Sequence, residues 1–208
     1  AQKGPLQTNS SVEVYELDAN LNQTGTSFQT KVINDFGEYS LPVNLASQYI
    51  DIFVKGYYFD EVSGEASTGW LTLTALVDTY ASAQNNINIL TTLAKPRVLA
   101  LIAEGMSFAA ACAQAQDEVV SAFGITTEVT TSFSELSVLE EGDENAVLLA
   151  VSAIVMQMAH MADEGDGAVP AALSQLISDI GVDLEDNGQM DDAEILSLLF
   201  RAIIRVDP

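Results

Sequence analysis

Between residues 183 and 194 the chain reads DLEDNGQMDDAE, and most of these side chains carry an oxygen that a hard cation accepts. On the spacing of a helix-loop-helix calcium site, Asp183 takes the first position and Glu185 the third. Asn187 takes the fifth, Gln189 the seventh, Asp191 the ninth and Glu194 the twelfth. Ca²⁺ prefers carboxylate and carbonyl oxygens, so this set suits it. Gln189 would contribute its backbone carbonyl, Glu194 would bind with both oxygens, and Gly188 allows the sharp turn at the sixth position. Glu185 departs from the pattern, because the third position favours the shorter Asp or Asn. An acidic turn uses the same residues differently: Asp191 and Asp192 cap the next helix, where the dipole favours negative charge, and Gly188 is an ordinary turn glycine. Both readings follow from the sequence. In the first, the ion bridges two helices and stabilises them without performing catalysis.

Little else in the chain is placed for reaction chemistry. His160 is the only histidine and stands among Met156, Met158 and Met161, while Cys112 is the only cysteine and lies in the alanine-rich run SFAAACAQAQ. Methionine fills core gaps, a histidine suits a helix C-terminus, and a lone cysteine forms no intrachain disulfide. No G-x-S-x-G, P-loop or dinucleotide fingerprint occurs. The acidic runs DEGDG (163–167) and EEGDEN (140–145) read as a solvated linker and a helix cap. Thirty acidic residues against seven basic ones give a formal charge of −23, which repels phosphate backbones and anionic lipid surfaces and attracts divalent cations. Neither nucleic acid nor an anionic membrane is therefore an expected partner. No run reaches the ~18 uninterrupted apolar residues of a membrane span.

The elements that would carry these residues change character near residue 92. SVEVYEL (11–17), SFQTKVI, EYSLPV, YIDIFVKGYYF (49–59), WLTLTALV (70–77) and NNINIL (85–90) show strand periodicity or β-branched and aromatic enrichment. They are separated by Gly, Asn and Asp signals, as in an antiparallel sandwich. The aromatic cluster Tyr57, Tyr58 and Phe59, followed by Trp70, is expected to split between the core and an exposed contact patch.

Three stretches in this half, GPLQTNSSVEVYELDANLNQTG, NDFGEYSLP and VKGYYFDEVSGE, carry a resemblance. With Asp35, Gly37, Tyr39 and Leu41 as D-x-G-x-Y-x-L and Gly56-Tyr57 closing a later strand, residues 1–92 resemble the transthyretin-like, carboxypeptidase-regulatory-like β-sandwich. That sandwich opens many bacterial cell-surface lipoproteins. The resemblance implies a spacer, binding or assembly module and not a catalyst. The solitary acidic loop, in turn, is similar to the dockerin type of calcium loop.

Beyond residue 92 the spacing predicts helices. Thr92 and Pro96 mark the start of the first, Ser107 caps the second, and Asp143 caps an apolar third helix over 144–163 that is expected to be central. VPAALSQLISDI (169–180) and AEILSLLFRAIIRV (193–206) complete a bundle, the last held down by Ile195, Leu198, Leu199 and Ile203. The expected fold class is α+β in two domains: an N-terminal antiparallel, transthyretin-like or Ig-like β-sandwich over 1–92 and a C-terminal α-helical bundle over 93–208.

The expected function is that of a non-catalytic, exported bacterial protein. It would act outside the cell or at the cell surface, in a structural or binding role, stabilised by Ca²⁺. The start at Ala1 suits a processed chain. Its partners would be divalent cations and another surface protein, or copies of itself. In the self-assembling version, the leader AQKGPLQTNSS pairs with a neighbour's sheet edge and builds a filament. The competing readings are a hydrolase with carboxylates in the groove between domains and a calcium-responsive switch.

Overall fold

The computed structural model describes residues 1–2, 5–163 and 167–206. Lys3 and the middle of the 163–167 acidic loop lie outside the described residues. The elements are β1 (Ser11–Leu17), β2 (Gln23–Lys31), β3 (Tyr49–Gly56), β4 (Phe59–Asp60), β5 (Glu65–Ala66), β6 (Leu71–Asp78), α1 (Ile89–Ala103), α2 (Phe108–Ala122), α3 (Asp143–Ala162), α4 (Val169–Asn187) and α5 (Ala193–Val206). The class is α+β. Four antiparallel strands form one sheet in the order β2-β1-β3-β6, and β4 and β5 make a short ribbon.

Period-two alternation does the expected work in this sheet. The cross-strand rows Val12–Val54–Leu73 and Val14–Ile52–Ala75 put every apolar partner on one buried face. Glu13, Tyr15, Phe53, Lys55 and Thr72 point to the other. The strands expected at EYSLPV and NNINIL shrink to single bridges, Val32 to Tyr39 and Gln2 to Asn88. Pro42 removes a ladder donor from the first, and the Asn85-Asn86 pair favours a turn in the second. Thus the described residues hold one full sheet. Irregular chain bearing Leu6, Tyr58, Ile87, Tyr39 and Leu41 shares the sheet's core.

Helix α1 begins at Ile89, so the 92/93 boundary falls inside its first turn. Asn88 caps it reciprocally: its Oδ1 accepts from the Thr91 N–H at 2.9 Å, and Thr91 Oγ1 accepts from the Asn88 N–H at 3.0 Å. Pro96 therefore lies within the helix and not at its start. Burial of Ile89, Leu90 and Leu93 outweighs that local signal.

The same helix closes one edge of the sheet. Thr91 Oγ1 donates to the Thr74 carbonyl at 2.8 Å and Thr92 Oγ1 accepts from the Thr74 N–H at 3.0 Å, occupying groups that an edge strand otherwise offers to another chain. Lys95 reaches over the sheet, its Nζ 2.7 Å from both Asp51 carboxylate oxygens. Burial pushes the Asp51 carboxyl up against the pull of Lys95.

On its far side α1 presents Arg97 to the helices. The guanidinium Nε and Nη2 donate to the two Glu118 oxygens of α2 at 2.7 and 3.2 Å, and Nη1 donates to the Glu185 and Asp186 carbonyls of α4 at 3.1 and 2.9 Å. Gln114 Nε2 adds a bond to Glu118 at 2.7 Å. Helix α1 touches β6, α2, α3 and α4, and so takes the central position expected of α3. Helix α3 packs on α1, α4 and α5 and leaves Leu149 45% exposed. By length and composition it is the one helix among the described residues apolar enough to cross a membrane, and half of it is buried in this fold.

Residues 125–142 form no regular element but are tied down around residues 130–133. Asn88 Nδ2 donates to the Phe133 carbonyl at 2.7 Å, and Glu144 accepts from the Thr130 and Thr131 N–H groups at 2.9 and 3.1 Å. The bonds from Thr131 and Thr130 hold the Glu144 carboxyl down to about 2. Because that value lies below the ordinary 4.5, the anchoring of this segment is complete above pH 4.5 and fails only as the pH falls through about 2. A carboxyl-detected NMR titration is expected to show Glu144 still ionised at about pH 3. An ordinary midpoint would remove the tether.

Arg97 yields a second expectation. Arg97→Met leaves Glu118 without its cationic partner and is expected to lower stability by about 3 kcal/mol, a fall in Tm of roughly 6–12 °C in a scanning melt. Adding Glu118→Leu to that variant is expected to recover most of the loss.

Candidate functional site

Two places in this fold merit consideration as sites, the acidic turn and the open face of the sheet. In the turn, α4 does not end near Asp183 but runs on through Asn187, so the first, third and fifth loop positions are helical. At about 100° per residue, Asp183 and Asn187 share a face and Glu185 points away from them. Glu185 lines a groove of about 400 Å³ between β6, α1 and α4, alongside Thr72, Lys95 and Leu99.

Asp183 Oδ2 accepts the Asp191 and Asp192 N–H groups at 2.9 and 3.2 Å, and Asn187 Nδ2 donates to Asp191 Oδ2 at 3.2 Å. The Gln189 N–H donates to Asn187 Oδ1 at 2.8 Å, and Asp192 Oδ1 takes the Glu194 and Ile195 N–H groups as the cap of α5. The structure therefore brings Asp183, Asn187 and Asp191 together and places Glu185 elsewhere. Among the described residues no group of three or more His, Cys, Asp or Glu side chains is set to share an ion.

Gly188 has a backbone reason of its own. It ends α4 at φ 72°, and a Cβ there would lie 2.2 Å from the Glu118 carboxyl carbon. The glycine that reads as a calcium-loop residue lets α4 close onto the Arg97–Glu118 pair.

The D-x-G-x-Y-x-L residues are likewise architectural. Asp35 accepts from Thr8 N and Oγ1 at 3.0 and 2.6 Å. Gly37, at φ 77°, allows the Ala1 carbonyl to approach to 2.3 Å from where a Cβ would stand. Tyr39 donates to the Asn85 carbonyl at 2.7 Å, and Leu41 packs on the core.

His160 Nε2 lies 2.7 Å from Asp60 Oδ2, joining the end of α3 to the β4–β5 turn, and Ser152 of α3 bonds Glu61 beside it. Burial works to raise Asp60, but hydrogen bonds from Ser63, His160 and Val62 outweigh it and hold the carboxyl below its usual range. Cys112 is partly buried, which pushes its thiol up to about 11 and leaves it a poor nucleophile at neutral pH.

The second place is built by strand alternation. Side chains of β1, β3 and β6 that point away from the core line a groove of about 300 Å³, among them Glu13, Tyr15, Phe53, Lys55 and Thr72. Tyr15 stands edge-on to Phe53 with ring centroids 5.6 Å apart, and Lys95 lies 4.4 Å from the centre of the Phe53 ring. At the rim, Lys55 lies 4.7 Å over Trp70, which meets Tyr57 edge-on at 6.1 Å. Trp70 is 56% exposed and Tyr57 41%.

Glu13 accepts from the Tyr15 hydroxyl at 2.7 Å, a bond that raises the Tyr15 phenol above its ordinary value. Aromatic faces beside one carboxylate, one ammonium and several hydroxyls can hold a polar ligand that has apolar surfaces. The exposed contact patch expected from Tyr57, Tyr58, Phe59 and Trp70 extends in the fold to Glu13, Tyr15 and Phe53, which that expectation leaves out. The signal was available in the polar positions of SVEVYEL, which the register alone aligns with Phe53 and Lys55.

Compared with known proteins, the chain matches no family model, no curated protein and no solved structure.

The acidic turn can be tested directly. Asp183→Ala removes the acceptor for two N–H groups and is expected to cost about 1 kcal/mol in a denaturant melt. Thermal melts in EDTA and in millimolar Ca²⁺ are expected to superimpose for the turn as it is folded. A rise of several degrees in Ca²⁺ would mark a loop that opens around the ion.

Proposed function

We propose that the chain is a non-catalytic binding module of an exported, surface-associated bacterial protein. In this reading the open face of its sheet takes a neutral polyhydroxylated ligand such as a glycan strand. The observation that carries the reading is the pairing of Tyr15, Phe53 and Trp70 with Glu13 and Lys55 on one solvent-facing surface. Aromatic rings stack on the apolar faces of sugar rings, and a carboxylate and an ammonium bond their hydroxyls. A charge of −23 disfavours nucleic acid and other polyanions and does not oppose a neutral polymer.

A glycoside hydrolase uses two facing carboxylates, whereas among the described residues Glu13 is the one acid lining this groove and Glu185 the one acid lining the groove by α4, and Asp51 on the same face of the sheet is bonded to Lys95. The alternative, a filament joined through the leader, has an open acceptor in the polar edge strand β2. It also asks the leader to leave its own chain, where Ala1 and Leu6 are buried, the Gln2 N–H donates to the Ile87 carbonyl, and the Gln2 side chain reaches Ser137 and Val138.

Affinity electrophoresis through gels containing neutral polysaccharides, with a reducing-end assay on the same mixtures, tests the proposal. Retardation without new reducing ends is expected, and Trp70→Ala or Glu13→Gln should weaken binding about ten-fold. Migration unaffected by every polysaccharide would reject the ligand, and new reducing ends would make the protein an enzyme.

A further inference from the structure

Helix α5 is apolar on two sides. Its inner side, Ile195, Leu199 and Ala202, is buried, with Leu198 packed against the same core. The outer side is open: Leu196 is 40% exposed, Phe200 68%, Ile203 39% and Ile204 61%. Ile203, expected in the core from its spacing, therefore belongs to the outer stripe.

At about 100° per residue these four side chains fall within one arc centred on Phe200, and Glu194, Arg201 and Arg205 fall together on one flank of it. Charge is polarised along the helix. Asp191, Asp192 and Glu194 stand at its start and Arg201 and Arg205 at its end. The other four helices expose no basic side chain, and neither arginine is in an ion pair among the described residues.

We propose that this face is a two-fold interface on which a second copy of the chain docks, with the two α5 helices antiparallel and crossing at Phe200. A two-fold contact must be self-complementary, residue i meeting j and j meeting i. With the axis through Phe200, Leu196 of each copy lies opposite Ile204 of the other, and the Phe200 rings meet at the centre. Glu194 of one copy comes within about one residue's rise, ~1.5 Å along the axis, of the level of the other's Arg205. In antiparallel pairing the same flank of both helices shares one side of the seam, so each Glu194 stands level with the other copy's Arg205, and the long arginine side chain can reach toward it along the edge of the contact. A parallel arrangement would set Arg205 against Arg205 and acid against acid. The polarity of the helix thus selects the antiparallel partner, and it makes α5 the helical surface on which two molecules of charge −23 repel least.

Sedimentation equilibrium of the whole chain at about 0.15 M salt, where screening falls to ~8 Å, reads this directly. The expected species is a dimer of twice the 22.2 kDa chain mass. Phe200→Glu is expected to give a monomer with unchanged circular dichroism, which is feasible because the side chain is exposed. Glu194→Arg and Arg205→Glu should each weaken the dimer about ten-fold and the double variant should restore it, a reciprocity that general surface stickiness does not produce. A particle that stays monomeric up to several hundred micromolar, a dimer that survives Phe200→Glu, or a double variant no tighter than the singles would overturn the proposal.

Discussion

The Arg97 guanidinium is the contact on which the helical half closes. A buried cation is tolerated only when its donors are matched, and here they are divided between a carboxylate and a helix end. Glu118 receives two of them in the parallel geometry that a planar guanidinium favours, and the carbonyls of Glu185 and Asp186 receive two more, where the α4 dipole is negative. The ion pair fixes α2 against α1, and the carbonyl bonds fix the exit of α4 against both. Gly188 follows from this arrangement, because any side chain there would enter the Glu118 carboxylate. So does the acidic turn, whose path begins just past the α4 carbonyls that Arg97 holds.

Helix α1 can serve as this hub because it is used on every side. Thr91 and Thr92 serve the β6 edge, Lys95 serves Asp51 in the sheet, and Arg97 serves the helices. A second line of contact runs from the β4–β5 turn to α3 through Asp60–His160 and Glu61–Ser152. Between these two seams the apolar residues form one continuous core from Ala1 to Ala202. The strand-rich and helix-rich parts of the chain therefore share their interior, and β6 cannot shift without moving α1.

That construction leaves distinct surfaces free for contact. One sheet edge is occupied by helix threonines, while the other, β2, is polar and exposed. The outward face of the sheet carries aromatic rings with a few charged groups, and the outward face of α5 carries an apolar stripe. Both exposed faces are the reverse sides of elements whose inner sides hold the core. Both leave apolar side chains in reach of solvent, so their composition is open to a role in recognition.

Much of this was legible in the sequence where a single face decides. SVEVYEL became β1 at the expected residues, Ser107 caps α2, and α5 runs from Ala193 to Val206, because alternation, a capping hydroxyl and helical spacing are local signals. Competition between local and distant forces decided the rest. Pro96 marks a helix start in isolation, yet burial of Ile89 and Leu90 moved that start upstream. The spacing of the 183–194 acids matches a cation loop, but Arg97, far away in sequence, carries α4 on through Asn187 and turns Glu185 out of the cluster. Likewise Glu13, Tyr15 and Phe53 come from different strands, and only their register makes them one surface. Composition and periodicity thus set the class of fold, the charge and most helices by themselves. Which helix is central, which acids converge and which aromatics share a face required tertiary structure, because each depends on partners remote along the chain.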